Sequence, residues 1–245
     1  LPNYAVFDEQ RYFAPGSGDS PLVEVGGVRV GVSICEDAFS PNGPIAAQAA
    51  GGAELVVNIN ASPYYANRLV ERERMLATRA ADASCTLVYV NEVGGQDELL
   101  FDGASMVFDA QGDLVTRAPQ FREVTVVCDL EVQPVFRKRL LDPRGRATEA
   151  PLPVVALSSE PRVTELGDRR YPPVTEPLAP VREVYEALVL GTRDYVTKNG
   201  FSDAVIALSG GVDSSLVATI AADALGPEHV HGVLMPSRYS TDHSL

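Results

Sequence analysis

Between residues 22 and 34 the apolar side chains fall on alternate positions: Val23, Val25, Val28, Val30, Val32 and Ile34, with Gly26-Gly27 between the two halves. A period of two interrupted by a glycine pair predicts two strands joined by a tight turn. Pro44 opens a short helix over IAAQAA, and Gly51-Gly52 ends it. Residues 55–59 read as a buried strand. Residues 67–84 predict a longer helix with Leu69, Met75, Leu76 and Ala80 on one stripe. Residues 87–90 form another apolar strand. Residues 104–108 and 113–116 flank Ala110-Gln111-Gly112 as a hairpin, and residues 124–128 read as a further strand.

The pattern changes after Pro134. Up to Pro180 the prolines 143, 151, 153, 161, 172, 173 and 177 and clusters of charge break every period. This stretch reads as a connecting arm and linker. Residues 181–197 then predict a helix with Val184, Leu188, Tyr195 and Val196 as its apolar positions. Residues 204–208 read as a buried strand, 214–225 as a helix ended by Gly226-Pro227, and 230–234 as the next strand. Strand, helix and strand in about thirty residues make one βαβ unit with parallel pairing. The chain thus divides into 1–133, 134–180 and 181–245, and its class is α/β.

Composition narrows the functions. The 245 residues are 45% hydrophobic and 22% charged, enough for a packed core. Twenty Lys and Arg against 33 Asp and Glu give a net charge of −13, which argues against a general nucleic-acid binder. No apolar run approaches the ~18 residues of a membrane span, and no signal peptide opens the chain. Cys35, Cys85 and Cys128 are too few and too scattered for a disulfide framework or a zinc site. Such usage fits a reducing cytoplasm. The chain starts at Leu1 inside a patterned segment and stops at Leu245 after a polar loop, so it reads as a piece of something longer, with sheet edges and apolar faces left unmet and poor solubility in isolation.

Two constellations carry chemistry. Cys35 follows Ile34 at the exit of a strand, where a turn presents side chains to a cleft. A cysteine attacks as thiolate, and the adjacent Glu36 and Asp37 oppose that form. A cation or a proton-accepting carboxylate from elsewhere would have to offset them. On local sequence alone, Cys35 reads first as a small buried strand-end thiol and only second as a nucleophile.

The strand–Cys–Glu–Asp turn, the upstream LPNYAVFDEQRYFAPG, the downstream NINASPYYANR and the later FDGASMVFDAQGDLV resemble, in order and spacing, the second half of a nitrilase-type amidase domain. LPNY…FDE-RYF and NINASPY are similar to the glutaminase domain of the glutamine-dependent NAD(+) synthetase family, over about residues 1–130. The resemblance implies part of a nitrilase-like four-layer α-β-β-α sandwich and a Glu–Lys–Cys triad. In it Cys35 is the nucleophile, and the Glu36 backbone N–H serves the oxyanion hole. It places glutamine against Tyr4, Glu36, Phe39, Ser62 and Arg68, with Arg68 on the α-carboxylate and Glu36 on the α-ammonium. The family's Glu and Lys precede the cysteine, the Lys just before LPNY. The lysines here, Lys138 and Lys198, both follow it. Both partners are therefore expected before Leu1, and this piece alone is expected to lack glutaminase activity. Without the resemblance Arg68 is a surface residue at a helix start, Ser62 a turn residue before Pro63, and Tyr4 and Phe39 core aromatics. Cys85 and Cys128 read as structural.

The second constellation is Ser209-Gly210-Gly211-Val212-Asp213-Ser214-Ser215, between a strand and a helix. The glycines let backbone N–H groups approach an anion, the serines add donors, and the helix start adds partial positive charge. No Lys follows the glycines, so this is not a Walker A loop. Asp213 would repel phosphate unless Mg²⁺ lies between them. A glycine-rich turn capped by Ser214 is the plainer alternative. The full SGGxDSS resembles the PP-loop of ATP pyrophosphatases, and VHGVLMPSRYS is similar to the NAD synthetase branch. That implies the start of a doubly wound, adenine-nucleotide α-hydrolase-like domain over about residues 181–245. Ala207, Leu208, Ser209, Gly210, Gly211, Val212, Asp213 and Ser214 would line ATP, with Asp213 on Mg²⁺ and Met235 near the adenine. His229, His231 and His243 read as solvated or structural.

Together the two resemblances imply glutamine-hydrolysing, ATP-dependent amidation of deamido-NAD⁺ to NAD⁺. Ammonia would pass internally from Cys35 to the adenylated carboxylate, in a homo-oligomeric cytoplasmic enzyme. The alternatives are an amidase with a regulatory nucleotide-binding part and an inactive scaffold used for assembly. Another PP-loop amidotransferase, such as a GMP synthetase, is disfavoured because those use other glutaminase folds.

Overall fold

A computed structural model of the chain describes residues 7–14, 16, 20–141, 151–158, 160 and 170–236. Strands β1 (Leu22–Val25) and β2 (Val28–Ile34) pair antiparallel, with Val25 opposite Val28. Gly26 and Gly27 both have positive φ, 58° and 79°, as the tightest hairpin turn requires. Helix α1 (Pro44–Ala50) starts on its proline and leads to β3 (Leu55–Asn60). Helix α2 (Arg68–Ala83) leads from β3 to β4 (Thr86–Asn91). Strands β2, β3 and β4 run parallel, each crossover carrying a helix. Strands β5 (Val93–Gln96) and β6 (Leu99–Asp102) form a separate hairpin. Strands β7 (Met106–Phe108) and β8 (Leu114–Arg117) extend the main sheet antiparallel beyond β4.

Helices α1 and α2 cover one face of this sheet. Ile45, Ala49, Leu69, Leu76 and Ala80 pack on Val56, Leu87, Tyr89, Met106 and Phe108. The other face is apolar and open: Val32, Ile34, Ile59 and Val90 are all exposed. Residues 55–59 are thus buried on alternate positions only, because helices cover one side of β3.

Other expectations also need correction. The arm after Pro134 is not wholly irregular: it holds helix α3 (Gln133–Leu141) and strand β9 (Val154–Ser158). Strand β9 runs parallel to β1 and closes a seven-stranded order, β8-β7-β4-β3-β2-β1-β9. Lys138 on α3 donates to the carbonyls of Ala81 and Ala110, and Arg139 to that of Ala53, tying the arm to the first module. Residues 124–128 join no ladder among the described residues, and Val124, Val126 and Val127 are exposed. β-branched residues extend the chain, but a strand needs a partner edge.

Helix α4 (Pro180–Lys198) rolls away from its apolar stripe. Its buried residues are Glu183, Ala187, Val189 and Leu190, while Val184, Leu188 and Tyr195 are exposed. The reason is the surface it meets. The β5–β6 hairpin approaches so closely that a Cβ on Gly191 would stand 3.0 Å from Leu100 Cδ2. Gly95 N–H donates to Asp194 Oδ2 at 2.7 Å, Lys198 Nζ donates to Gly95 O at 2.6 Å, and Gln120 Nε2 donates to buried Glu183 Oε1 at 2.8 Å.

Strands β10 (Ala204–Leu208) and β11 (Val230–Leu234) pair parallel around helix α5 (Val212–Leu225), the predicted βαβ unit, with the helix starting two residues earlier than the pattern implies. Strand β10 is not buried; Val205 is 71% exposed, because its sheet has two strands among the described residues and α5 covers one side. No helix among the described residues is long and apolar enough to cross a membrane.

Candidate functional site

Cys35 is the first residue beyond β2 and opens a 3-10 turn, Cys35–Ala38. Its φ is +46°, in the left-handed region that a non-glycine residue occupies at a cost of about 1–3 kcal/mol. Two contacts hold it there. Ile34 N–H donates to Asp37 Oδ2 at 2.9 Å, closing the turn on itself. Asn58, on the neighbouring strand, donates from Nδ2 to Ser33 Oγ at 3.0 Å and to Cys35 O at 3.4 Å. The thiol is partly buried. Burial pushes its pKa up; the backbone N–H groups of Ala61 and Glu36 pull it down, and the charges of Glu36 and Glu9 raise it further.

Strand β3 exits beside this turn. Ser62 is 2% exposed, and its N–H donates to Asn91 Oδ1 at 2.9 Å. Arg68 opens α2 after Asn67, whose φ is +69°. Its guanidinium lies 4.8 Å from the Phe39 ring centre and 5.1 Å from that of Tyr65. Arg68 Nη1 donates to the Tyr65 hydroxyl at 2.8 Å, while Nε is buried without a hydrogen-bond partner. Cys35, Glu36 and Phe39 therefore share one turn, Arg68 covers Phe39, and Ser62 follows the adjacent strand. Tyr4 lies outside the described residues.

Sequence reasoning passed over Glu9, although it stands in the quoted FDEQRYF. Its Oε2 is buried without a partner, and its charge acts on the Cys35 sulfur. It also passed over Asn58, Asn60 and Asn91. Their signal was present: asparagine is unfavourable in strands, yet Asn60 and Asn91 end β3 and β4 and Asn58 lies inside β3. The two lysines are engaged elsewhere, Lys138 as above and Lys198 with Gly95 O and Asp194.

The second constellation lies where β10 ends. Gly210 has φ +77°, and Gly211 precedes the first turn of α5. The serines fold the loop: Ser209 N–H donates to Ser214 Oγ at 3.2 Å, Gly211 N–H to Ser209 Oγ at 3.3 Å, and Ser214 and Ser215 hydroxyls to Gly211 O at 3.1 and 3.0 Å. Ser214 thus braces the turn, as the plain capping alternative also expects. Leu208 pairs with Leu234, so Ser209 and Met235 leave the sheet side by side at the carboxyl edge, the usual ligand position in such sheets. Ala207, Leu208, Val212 and Asp213 flank that edge, and Asp213 is exposed in the first turn of α5. Ser237, Tyr239, Ser240 and His243 lie outside the described residues.

His229 and His231 sit at the opposite end of this sheet and converge on Asp203 Oδ1 at 3.4 and 3.1 Å. The Ser202 hydroxyl first, then both imidazoles, hold the Asp203 carboxyl down at about 2. Among the described residues no cluster of three His, Cys, Asp or Glu could hold a metal ion.

The raised thiol has a testable consequence. A thiolate population is lost as pH falls below the thiol's pKa, and here burial first, then the Glu36 and Glu9 charges, push that pKa above its ordinary value. Iodoacetamide should alkylate Cys35 in this chain more slowly than a free thiol at neutral pH, with a rate climbing about tenfold per pH unit. Mass spectrometry of the Cys35 peptide measures it. A plateau near pH 7 would show that burial does not govern the sulfur.

The family model for carbon-nitrogen hydrolase matches residues 1–135, and that for NAD synthase matches residues 184–245. A glutamine-dependent NAD(+) synthetase of Thermotoga maritima is 46% identical over 100% of this chain and 42% of its own length. One from Aquifex aeolicus is 47% identical over 100% of this chain and 43% of its own. The solved structure of glutamine-dependent NAD+ synthetase from Acinetobacter baumannii, in complex with adenosine diphosphate, superposes with a TM-score of 0.80 at 34% identity, covering 100% of this chain and 40% of that one. The chain thus spans about two fifths of the length of the curated relatives it matches. The expected class stands: a nitrilase-like module followed by the start of an NAD synthetase domain. The chain belongs to the carbon-nitrogen hydrolase family, with an NAD synthase module beginning behind it on the same polypeptide.

Proposed function

We propose that the full-length protein converts deamido-NAD⁺ to NAD⁺, using glutamine as nitrogen donor and ATP as activator. The observation that carries this reading is the left-handed turn at Cys35, closed by Asp37 and Asn58 and flanked by the Arg68–Phe39 pair, on one chain with the serine-braced glycine loop. Relatives that match the whole chain have glutamine dependence and NAD(+) synthesis in their names.

The sulfur of Cys35 attacks the side-chain carbonyl of glutamine. A C–S bond forms, and the carbonyl oxygen takes the negative charge, which the Glu36 N–H stabilises. The C–N bond then breaks, ammonia leaves with a proton, and water hydrolyses the thioester to glutamate. Arg68 offers its guanidinium to the α-carboxylate, Glu36 its carboxylate to the α-ammonium, and Phe39, Ser62 and Tyr4 complete the pocket. The proton acceptor and the cation are a Glu and a Lys from chain outside this sequence. The charge of Glu9 also acts on that sulfur.

In the second module the nicotinate carboxylate attacks the α-phosphorus of ATP, releasing pyrophosphate, and ammonia displaces AMP from the adenylate. Residues 207–214 hold the nucleotide through backbone N–H groups and serine hydroxyls, with Met235 beside the base. Hard oxygen donors gather here, the Asp213 carboxylate among them, and they suit Mg²⁺. Mg²⁺ would neutralise phosphate charge, and Asp213 is the residue of this chain that would bind it. Residues 1–133 serve as the amidase part, 134–180 as the arm and 181–245 as the synthetase part, in a cytoplasmic homo-oligomer. Ammonia passes between sites inside the protein, because in water at neutral pH it is mostly ammonium and a poor nucleophile.

Full-length protein given glutamine, ATP and deamido-NAD⁺ should release one pyrophosphate per NAD⁺ formed. Glutamine hydrolysis with no ATP consumed would instead favour an amidase with a regulatory nucleotide site.

A further inference from the structure

Arg72 and Asp102 form a bidentate ion pair, Nη2 to Oδ1 at 3.0 Å and Nη1 to Oδ2 at 3.3 Å, with both side chains fully buried. A buried pair of this kind is a poor source of stability, since apolar residues of similar volume often serve as well. Its neighbours give it another purpose. Arg72 lies four residues after Arg68 on α2, so the two share a helix face. Anchoring Arg72 fixes the roll of α2 and hence where Arg68 stands.

Asp102 reaches the other side of the pocket through Asn91. Asn91 Nδ2 donates to Asp102 Oδ1 at 3.4 Å and to Gly103 O at 3.1 Å. That leaves Asn91 Oδ1 to accept from buried Ser62 N–H at 2.9 Å. The amide has one permissible sense. Reversed, it would set an NH₂ against the Ser62 N–H and an oxygen against a carboxylate.

We propose that Arg72, Asp102 and Asn91 are positioning residues that set Arg68 and Ser62 to recognise the amino-acid end of an amide substrate. The proposal rests on the glutaminase reading of the Cys35 site and adds to it the source of substrate affinity. None of the three touches substrate; they act through the two residues that do. Their loss should raise KM for glutamine and spare the chemical step.

Arg72→Ala would leave Asp102 buried and alone, which is expected to unfold the module. Asp102→Asn would likewise strand the Arg72 charge, so Asn91→Ala and the paired replacement Arg72→Met with Asp102→Leu, which removes both charges together, are the sharper tests in the full-length protein. The expected result is a KM for glutamine raised about tenfold or more, with kcat held within about threefold. NAD⁺ formation from free ammonia, and alkylation of Cys35 by iodoacetamide, should match the parent. A KM within about twofold of the parent overturns the proposal. So does a joint fall of kcat, ammonia-supported activity and melting temperature, which marks a structural role. Cys35→Ala is assayed in parallel. If it still hydrolyses glutamine, the glutaminase reading fails and the proposal with it. If it is inactive while the Asn91→Ala and paired Arg72/Asp102 variants keep their KM, the positioning proposal alone fails.

Discussion

Cys35→Ala in the full-length protein should reduce glutamine-supported NAD⁺ formation by about 10⁴-fold or more, the scale on which loss of a covalent nucleophile is felt. With ammonium supplied at high concentration and alkaline pH, NAD⁺ formation should stay within about twofold of the parent. The split follows from the geometry. Cys35 belongs to the β2 exit, while the glycine loop belongs to the β10 exit on a separate sheet. Alanine loses the sulfur but keeps the Asp37 and Asn58 contacts, which use the backbone of residues 34 and 35. The fold should therefore survive; at φ +46° the backbone strain is common to both residues. Rates from glutamine and from ammonia on one preparation measure the effect. Equal loss of both would mean that the substitution damages the whole molecule. No loss would reduce Cys35 to the buried structural thiol that its local sequence also allows.

What the sequence made legible, and what it did not, follows from how local each interaction is. The β1–β2 hairpin was readable because its period and its Gly26-Gly27 turn lie within one short stretch. The βαβ unit at β10 was readable for the same reason, down to the register that sets Ser209 beside Met235. The roll of α4 was not, because a distant surface decides it. The β5–β6 hairpin selects the small residues Ala187 and Gly191 and the hydrogen-bonding Asp194, and Gln120 beyond β8 selects Glu183, over Val184 and Leu188. Strand β9 was hidden among prolines because its partner, β1, is more than a hundred residues earlier. At the site, Cys35, Phe39 and Arg68 came from matched wording. The supporting Asn58, Asn91, Arg72 and Asp102 did not, since their roles exist only once strands 25 to 30 residues apart are paired.

Asp213→Asn should separate the two uses of the glycine loop. As a first-turn acid on α5, Asp213 is worth about 0.3–1 kcal/mol through the helix dipole, and its exposed amide replacement should lower melting temperature only slightly. If the loop is no more than a capped turn, activity should not change, because Ser209, Ser214 and Ser215 brace it without Asp213. If the loop holds ATP with Mg²⁺, losing one anionic oxygen ligand should cut NAD⁺ formation by about 10²–10³-fold, from glutamine and from ammonia alike. Saturating Mg²⁺ should recover part of that loss, since the defect lies in metal affinity. Glutamine hydrolysis at Cys35 should continue, so the variant makes ammonia and does not use it. This pattern is the reverse of the Cys35→Ala result, and the pair assigns one half-reaction to each module. A variant that keeps full synthesis would leave the capping account standing and remove Asp213 from the nucleotide site.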